Sequence, residues 1–142
     1  MKKAVSALLV FFFLISLCSC SDTDTDRCKD AVLEYGTSEI YSEKEIDGAF
    51  RAVMDDFNTW DAKCTMISLS YAGDDAVRRC SKYQSESDDN AYDEFIVVEG
   101  SFRTPKHKAG GFNSNTVIDD GWTWELGRNN GGDWKIITYG YC

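Results

Sequence analysis

Trp122-Thr123-Trp124-Glu125-Leu126-Gly127-Arg128-Asn129-Asn130-Gly131-Gly132-Asp133-Trp134-Lys135-Ile136 is the stretch whose reading decides the fold. Before the turn, Trp122, Trp124 and Leu126 alternate with Thr123 and Glu125, the period of a strand with one buried face. Asn129 to Gly132 are residues that tolerate positive φ and close a tight hairpin. Trp134 to Tyr141 then reads as the return strand. So short a connection forces antiparallel pairing. The first of these strands is expected over Thr116–Arg128.

Working outward, Asp93–Arg103 alternates as a strand, with Ile96, Val98, Gly100 and Phe102 on the expected core face. Thr104–Asn115 reads as a long loop. Thr65–Tyr71 alternates too, with Ile67, Leu69 and Tyr71 on one face. Gly73-Asp74-Asp75 starts a helical turn through Cys80, and Ser81–Asn90 reads as a polar loop. Ser42-Glu43-Lys44-Glu45 is a capping box. Ile46, Phe50, Val53, Met54 and Phe57 follow at helical spacing, so an amphipathic helix is expected over Glu43–Asn58. Lys29–Tyr35 reads as a short helix ended by Gly36. No internal repeat is present.

A capped helix, a strand, a helical turn and a closing antiparallel meander imply an α+β domain. Helix 42–58, the strand from Asp93 and the hairpin quoted above together resemble the nuclear-transport-factor-2-like (cystatin-like) superfamily. The resemblance covers about residues 40–142. It implies a cone or roll, a curved antiparallel sheet wrapped around the N-terminal amphipathic helix. It also implies an extra edge strand, near Tyr83–Tyr92 or in the 104–115 loop. That superfamily holds isomerases and dehydratases as well as domains with no reaction, and no catalytic residue carries over by motif.

The chain begins with Lys2 and Lys3, an apolar run from Ala4 to Leu17, and Leu17-Cys18-Ser19-Cys20. The run is shorter than the about 20 residues of a membrane span and has the layout of an export signal. Its last four residues resemble a bacterial lipobox. The resemblance implies a signal peptide over 1–19, lipid on Cys20, and a protein anchored to the outer face of the cell membrane. Residues 20–39 are then an acidic tether and short helical lead-in, and 40–142 a single domain. Removing Lys2 and Lys3 leaves 13 basic against 24 acidic residues, a net charge of −11 in place of −9. That charge repels nucleic acid and anionic headgroups, so none of the former is expected as partner and the lipid must do the anchoring.

After Cys18 and Cys20, four cysteines remain, an even number suited to two disulfides in an exported chain. Three pairings exist; the expected one is Cys64–Cys80 with Cys28–Cys142. A zinc site from the same four lacks the close C-x2-4-C spacing. No metal, cofactor or catalytic residue is expected. His107 is the single histidine, in a basic loop. Serine-nucleophile, P-loop and dinucleotide motifs are missing.

Two function classes follow. The first is non-catalytic binding of a small molecule or an envelope partner through the rings of Trp60, Trp122, Trp124, Trp134, Tyr139 and Tyr141. Trp122, Trp124 and Tyr139 are the candidate pocket. The alternative is a small isomerase- or dehydratase-like pocket enzyme using a carboxylate such as Glu99, with Arg103 as its charge partner.

Overall fold

The computed structural model describes residues 26–86 and 91–141. The chain is α+β: a six-stranded, mostly antiparallel open sheet with two helices. The elements run β1 (Val32–Glu34), α1 (Glu43–Thr59), β2 (Thr65–Tyr71), α2 (Asp74–Ser85), β3 (Glu94–Arg103), β4 (Val117–Ile118), β5 (Trp122–Arg128) and β6 (Lys135–Tyr141). Strand order is β1-β2-β3-β5-β6, with β4 also paired to β3. Among the described strands only β1–β2 is parallel, and α1 makes that crossover.

α1 forms where the sequence places it. Ser42 N–H and Oγ–H both donate to Glu45 Oε2, at 2.9 and 2.8 Å. Ile46, Ala49, Phe50, Val53 and Phe57 line its buried stripe. The stripe packs on the inner sheet face, which presents Leu69, Ile96, Val98, Phe102, Trp124 and Leu126, all buried. α2 covers the opposite, outer face, where Cys80 joins Phe95 and Val97 in a second, smaller apolar cluster.

The sequence places no basic residue in the last turn of α1, and the structure supplies one from outside. Arg27 Nη2–H donates to the carbonyl of Phe57 at 3.0 Å and to that of Asn58. The guanidinium thereby meets the negative end of the helix and satisfies two terminal carbonyls. The other end of α1 is tied by Arg128 at the end of β5. Its Nη2 lies 2.6 Å from Glu45 Oε1 and 2.6 Å from Glu94 Oε2. The hydrogen bonds from Arg128, then those from Ser42, hold the Glu45 carboxyl at about 2, well below the usual range. Because the folded value lies below the unfolded one, this pair stabilises the fold fully above about pH 4.5 and ceases to do so as pH falls toward 2. Melting temperatures of Glu45→Gln should therefore fall less than wild type between pH 5 and pH 2.5; parallel curves would refute the assignment.

Several expectations need correction. Residues 29–35 form a turn and the edge strand β1 in place of a short helix. Seven residues are a marginal helix, whereas Val32, Leu33 and Glu34 pair with Ser68, Leu69 and Ser70. β2 has the expected bounds but not the expected faces. A bulge between Met66 and Ser68 inserts Ile67 as an extra residue, so Met66, Leu69 and Tyr71 are the buried set. The strand expected over 116–128 breaks at Asp119-Asp120-Gly121, where Gly121 has φ 71°, a conformation glycine adopts without strain. The fragment before the break is β4, paired to β3; the extra edge strand expected near Tyr83–Tyr92 or in the 104–115 loop is not found in either place among the described residues. α2 runs to Ser85, into the segment read as loop.

The cysteine pairing changes as well. Cys64 sits in the main core and Cys80 in the cluster beyond the sheet, so the expected Cys64–Cys80 bridge would have to cross it. Cys64 and Cys28 are buried free thiols in the same main cluster. Cys142, the expected partner of Cys28, lies outside the described residues, as do Cys18 and Cys20. Burial pushes the Cys28 thiol up to about 11 and raises that of Cys64. Thiolates are the reactive form. A thiol reagent at pH 7 should therefore label Cys28 and Cys64 only after unfolding; labelling of the native protein within minutes, or none after unfolding, would contradict this.

Candidate functional site

One end of the inner face carries a dense aromatic cluster, built from four elements. α1 contributes Phe57 and its C-cap residue Trp60, β3 gives Phe102, β5 gives Trp122 and Trp124, and β6 gives Tyr139 and Tyr141. Alternation puts the strand residues on one face: Trp122 faces Tyr141 across the β5–β6 ladder and Trp124 faces Tyr139. Phe112, from the loop before β4, packs against Phe102 at 5.6 Å and Trp122 at 5.8 Å between ring centroids.

Exposure is graded through the cluster. Trp124 is fully buried and Trp122 is 9 % exposed, while Tyr139 is 48 % and Tyr141 65 % exposed. Trp60 is half-buried between the two groups. Trp124 fits because β3 has Gly100 beneath it: a Cβ there would stand 2.8 Å from the Trp124 six-membered ring. The exposed rings lie on β6, an edge strand of the sheet. Among the described residues, the buried indole Nε1–H groups of Trp122 and Trp124 find no acceptor. Trp60 Nε1–H donates to Asp56 Oδ2 at 3.0 Å.

The sequence-expected pocket residues Trp122, Trp124 and Tyr139 are thus neighbours, with Trp122 and Tyr139 stacked at 6.2 Å. Tyr139 and Tyr141 line a groove of about 460 Å³ with Tyr83, Thr123 and Glu125, while the rings of Trp60, Trp122 and Trp124 pack against one another. Asp56, the partner of Trp60, was not legible as part of this site.

The other candidates lie elsewhere. Glu99 and Arg103 are exposed residues of β3. Glu99 lines a shallow outer-face groove of about 290 Å³ with Arg79, Tyr83 and Glu125. That groove lies across the sheet from the aromatic cluster. His107 is exposed between Lys106 and Lys108. A cleft of about 790 Å³ lies between the start of α1 and the β5–β6 hairpin. Its charged lining mixes Lys44, Arg51 and Lys135 with Asp55 and Asp133, and its Arg128 is already engaged by Glu45 and Glu94. Trp134 stands at its wall, with Nε1–H donating 2.9 Å to the Glu45 carbonyl. Among the described residues, no group of three or more His, Cys, Asp or Glu side chains is placed to hold a metal ion. No described helix is long and apolar enough to cross a membrane.

Compared with known proteins, the chain matches no family model, no curated protein and no solved structure.

Proposed function

We propose that this chain is an exported domain, held at the outer face of the cell membrane by lipid on Cys20, that binds a ring-bearing small molecule without transforming it. The domain is read as a roll of the nuclear-transport-factor-2-like kind, its sheet curved about α1; the packing of α1 on one face of a mostly antiparallel sheet supports that reading. The observation that carries the binding function is the aromatic end. Exposed Tyr139 adjoins half-buried Trp60 and exposed Tyr141 adjoins Trp122, and the cluster holds two buried indole N–H groups that find no acceptor among the described residues. Ligand sites combine apolar, aromatic walls with a few polar groups in this way. The carboxylate alternative draws no support from Glu99, which is exposed on the far face.

A thermal-shift screen against metabolites and soluble glycans tests the binding reading. Hits should raise the melting temperature of the wild type and lose that effect in Tyr139→Ala. Silence across the library, or shifts that survive Tyr139→Ala, would overturn it. For the anchor, Cys20→Ala should move the protein from the membrane fraction to the soluble one; unchanged fractionation would refute the lipid.

A further inference from the structure

β6 is one edge of the sheet, and among the described residues no strand lies beyond it. The opposite edge, β1, is three residues long, and shortness is one of the ways in which proteins blunt an open edge. β6 has seven residues, Lys-Ile-Ile-Thr-Tyr-Gly-Tyr, with one charge at its start and no proline. A bulge at Ile137 interrupts its ladder with β5, so the regular stretch is 138–141, paired with 122–125. In an edge strand the backbone groups that point away from the sheet are open to a further strand.

The groove of about 460 Å³ runs along this edge, lined by the consecutive residues 137–141 with Tyr83 and Gln84 of α2 and Thr123 and Glu125 of β5. Five large apolar side chains are exposed among the described residues, and three of them, Tyr83, Tyr139 and Tyr141, line this groove. Such clustering marks an interaction site, where scattered exposure does not. The groove has one charged side chain, Glu125, whose Oε2 accepts from Gln84 Nε2–H at 3.2 Å. Glu125 is paired with Thr138 across the ladder. A residue opposite Thr138 on an added strand would stand two strand spacings, about 10 Å, from Glu125 and on the same face. A lysine or arginine at that place spans the gap together with the glutamate side chain, passing over the small Thr138.

We infer that β6 docks an extended basic segment of a partner protein, which adds to the sheet as a further strand and sets its cations beside Glu125. Main-chain bonds along 138–141 supply the affinity, and alternate side chains on the Glu125 face supply the specificity. The segment is basic because the one charge in the groove is negative and the whole chain carries −9. The same net charge disfavours a second copy as occupant, since two such chains repel. This docking goes beyond the binding of ring compounds and does not rest on it.

Calorimetric titration with the end-capped peptide Thr-Lys-Val-Lys-Val-Lys-Thr, whose lysines share one face of a strand, tests this. Wild type should bind it, and Glu125→Lys should weaken binding at least tenfold. If that variant fails to fold, Glu125→Gln, which keeps the size, should weaken binding about threefold. The peptide with glutamate in place of lysine should bind wild type at least tenfold more weakly. Two further versions carry N-methyl groups on the lysine or on the valine backbone nitrogens. A strand turns alternate N–H groups toward its neighbour, so one version should lose at least tenfold and the other stay within about threefold. Equal binding of these two versions overturns strand addition. Binding that is unchanged by the Glu125 variants, or equal for the acidic peptide, overturns the basic partner. Absence of binding by the lysine peptide overturns the inference outright. So does a dimer in light scattering of the protein alone that Thr138→Lys dissociates, which would place a second copy on this edge. The reading of ring binding is decided separately by the thermal-shift screen with Tyr139→Ala.

Discussion

Trp124→Ala is expected to remove about 3 kcal/mol of unfolding free energy. Truncating a buried Trp to alanine costs about 3–5 kcal/mol, from lost transfer energy and the cavity left behind. Trp124 is fully buried among Trp60, Trp122 and Phe57, with ring centroids 6.0, 6.3 and 6.5 Å away. Gly100 holds space for its ring, and that space would be left empty. One effect works in the other direction: the substitution also deletes a buried donor without an acceptor, which returns part of the loss. The net therefore falls at the low end of the range. Tyr139→Ala, at a side chain 48 % exposed, should cost about 1 kcal/mol or less. Urea unfolding with unchanged m-values measures both. A loss below about 1 kcal/mol for Trp124→Ala would contradict its place in the core; a loss of similar size for Tyr139→Ala would make the whole cluster structural.

Arg128→Ala should be of comparable size, about 3 kcal/mol. The Arg128 side chain is 7 % exposed. It bridges Glu45 and Glu94 and lies over the Trp134 ring at 4.2 Å. Removing one member of a buried ionic group costs about 3–5 kcal/mol, because the partners stay behind unpaired. Here the partners are two carboxylates, both deprived of the only cation described between them. They are 36 % and 31 % exposed, so water compensates in part and the low end applies. Arg128→Lys should recover less than half of the loss, since one ammonium lacks the fork that engages both carboxylates and the face that stacks on Trp134. Full recovery by lysine, or a loss within 0.5 kcal/mol for alanine, would show that the triad contributes little.

Legibility in the sequence followed the range of each interaction. α1, the core face of β3 and the β5–β6 hairpin were readable because capping, alternation and turn chemistry are local. β1 was not, because three residues acquire strand structure only by pairing with β2. The bulge at Ile67 was hidden for the same reason: alternation predicts faces only while the register is unbroken. Glu45 was readable as a capping residue, but its bond to Arg128 joins residues 83 apart. Arg27 caps α1 through the carbonyl of Phe57, 30 residues later. The placement of Cys64 and Cys80 in separate clusters was not legible because chain spacing does not reveal which face of the sheet a thiol is on. At the candidate site, Trp122, Trp124 and Tyr139 were identified as one group. The layering of their rings, with Trp60 inserted and Asp56 holding it, depends on how α1 ends against β5 and β6.

The four tryptophans give one measurement that addresses the binding account directly. In a ¹H–¹⁵N spectrum each indole N–H has its own resonance. On saturation with a compound that raises the melting temperature in the thermal-shift screen, the account predicts that the Trp60 and Trp122 indole resonances, beside Tyr139 and Tyr141, shift. The Trp134 indole, which packs on Tyr41 and Arg128, should stay in place. A spectrum in which Trp134 moves and Trp60 and Trp122 do not, while the compound is bound, would contradict it.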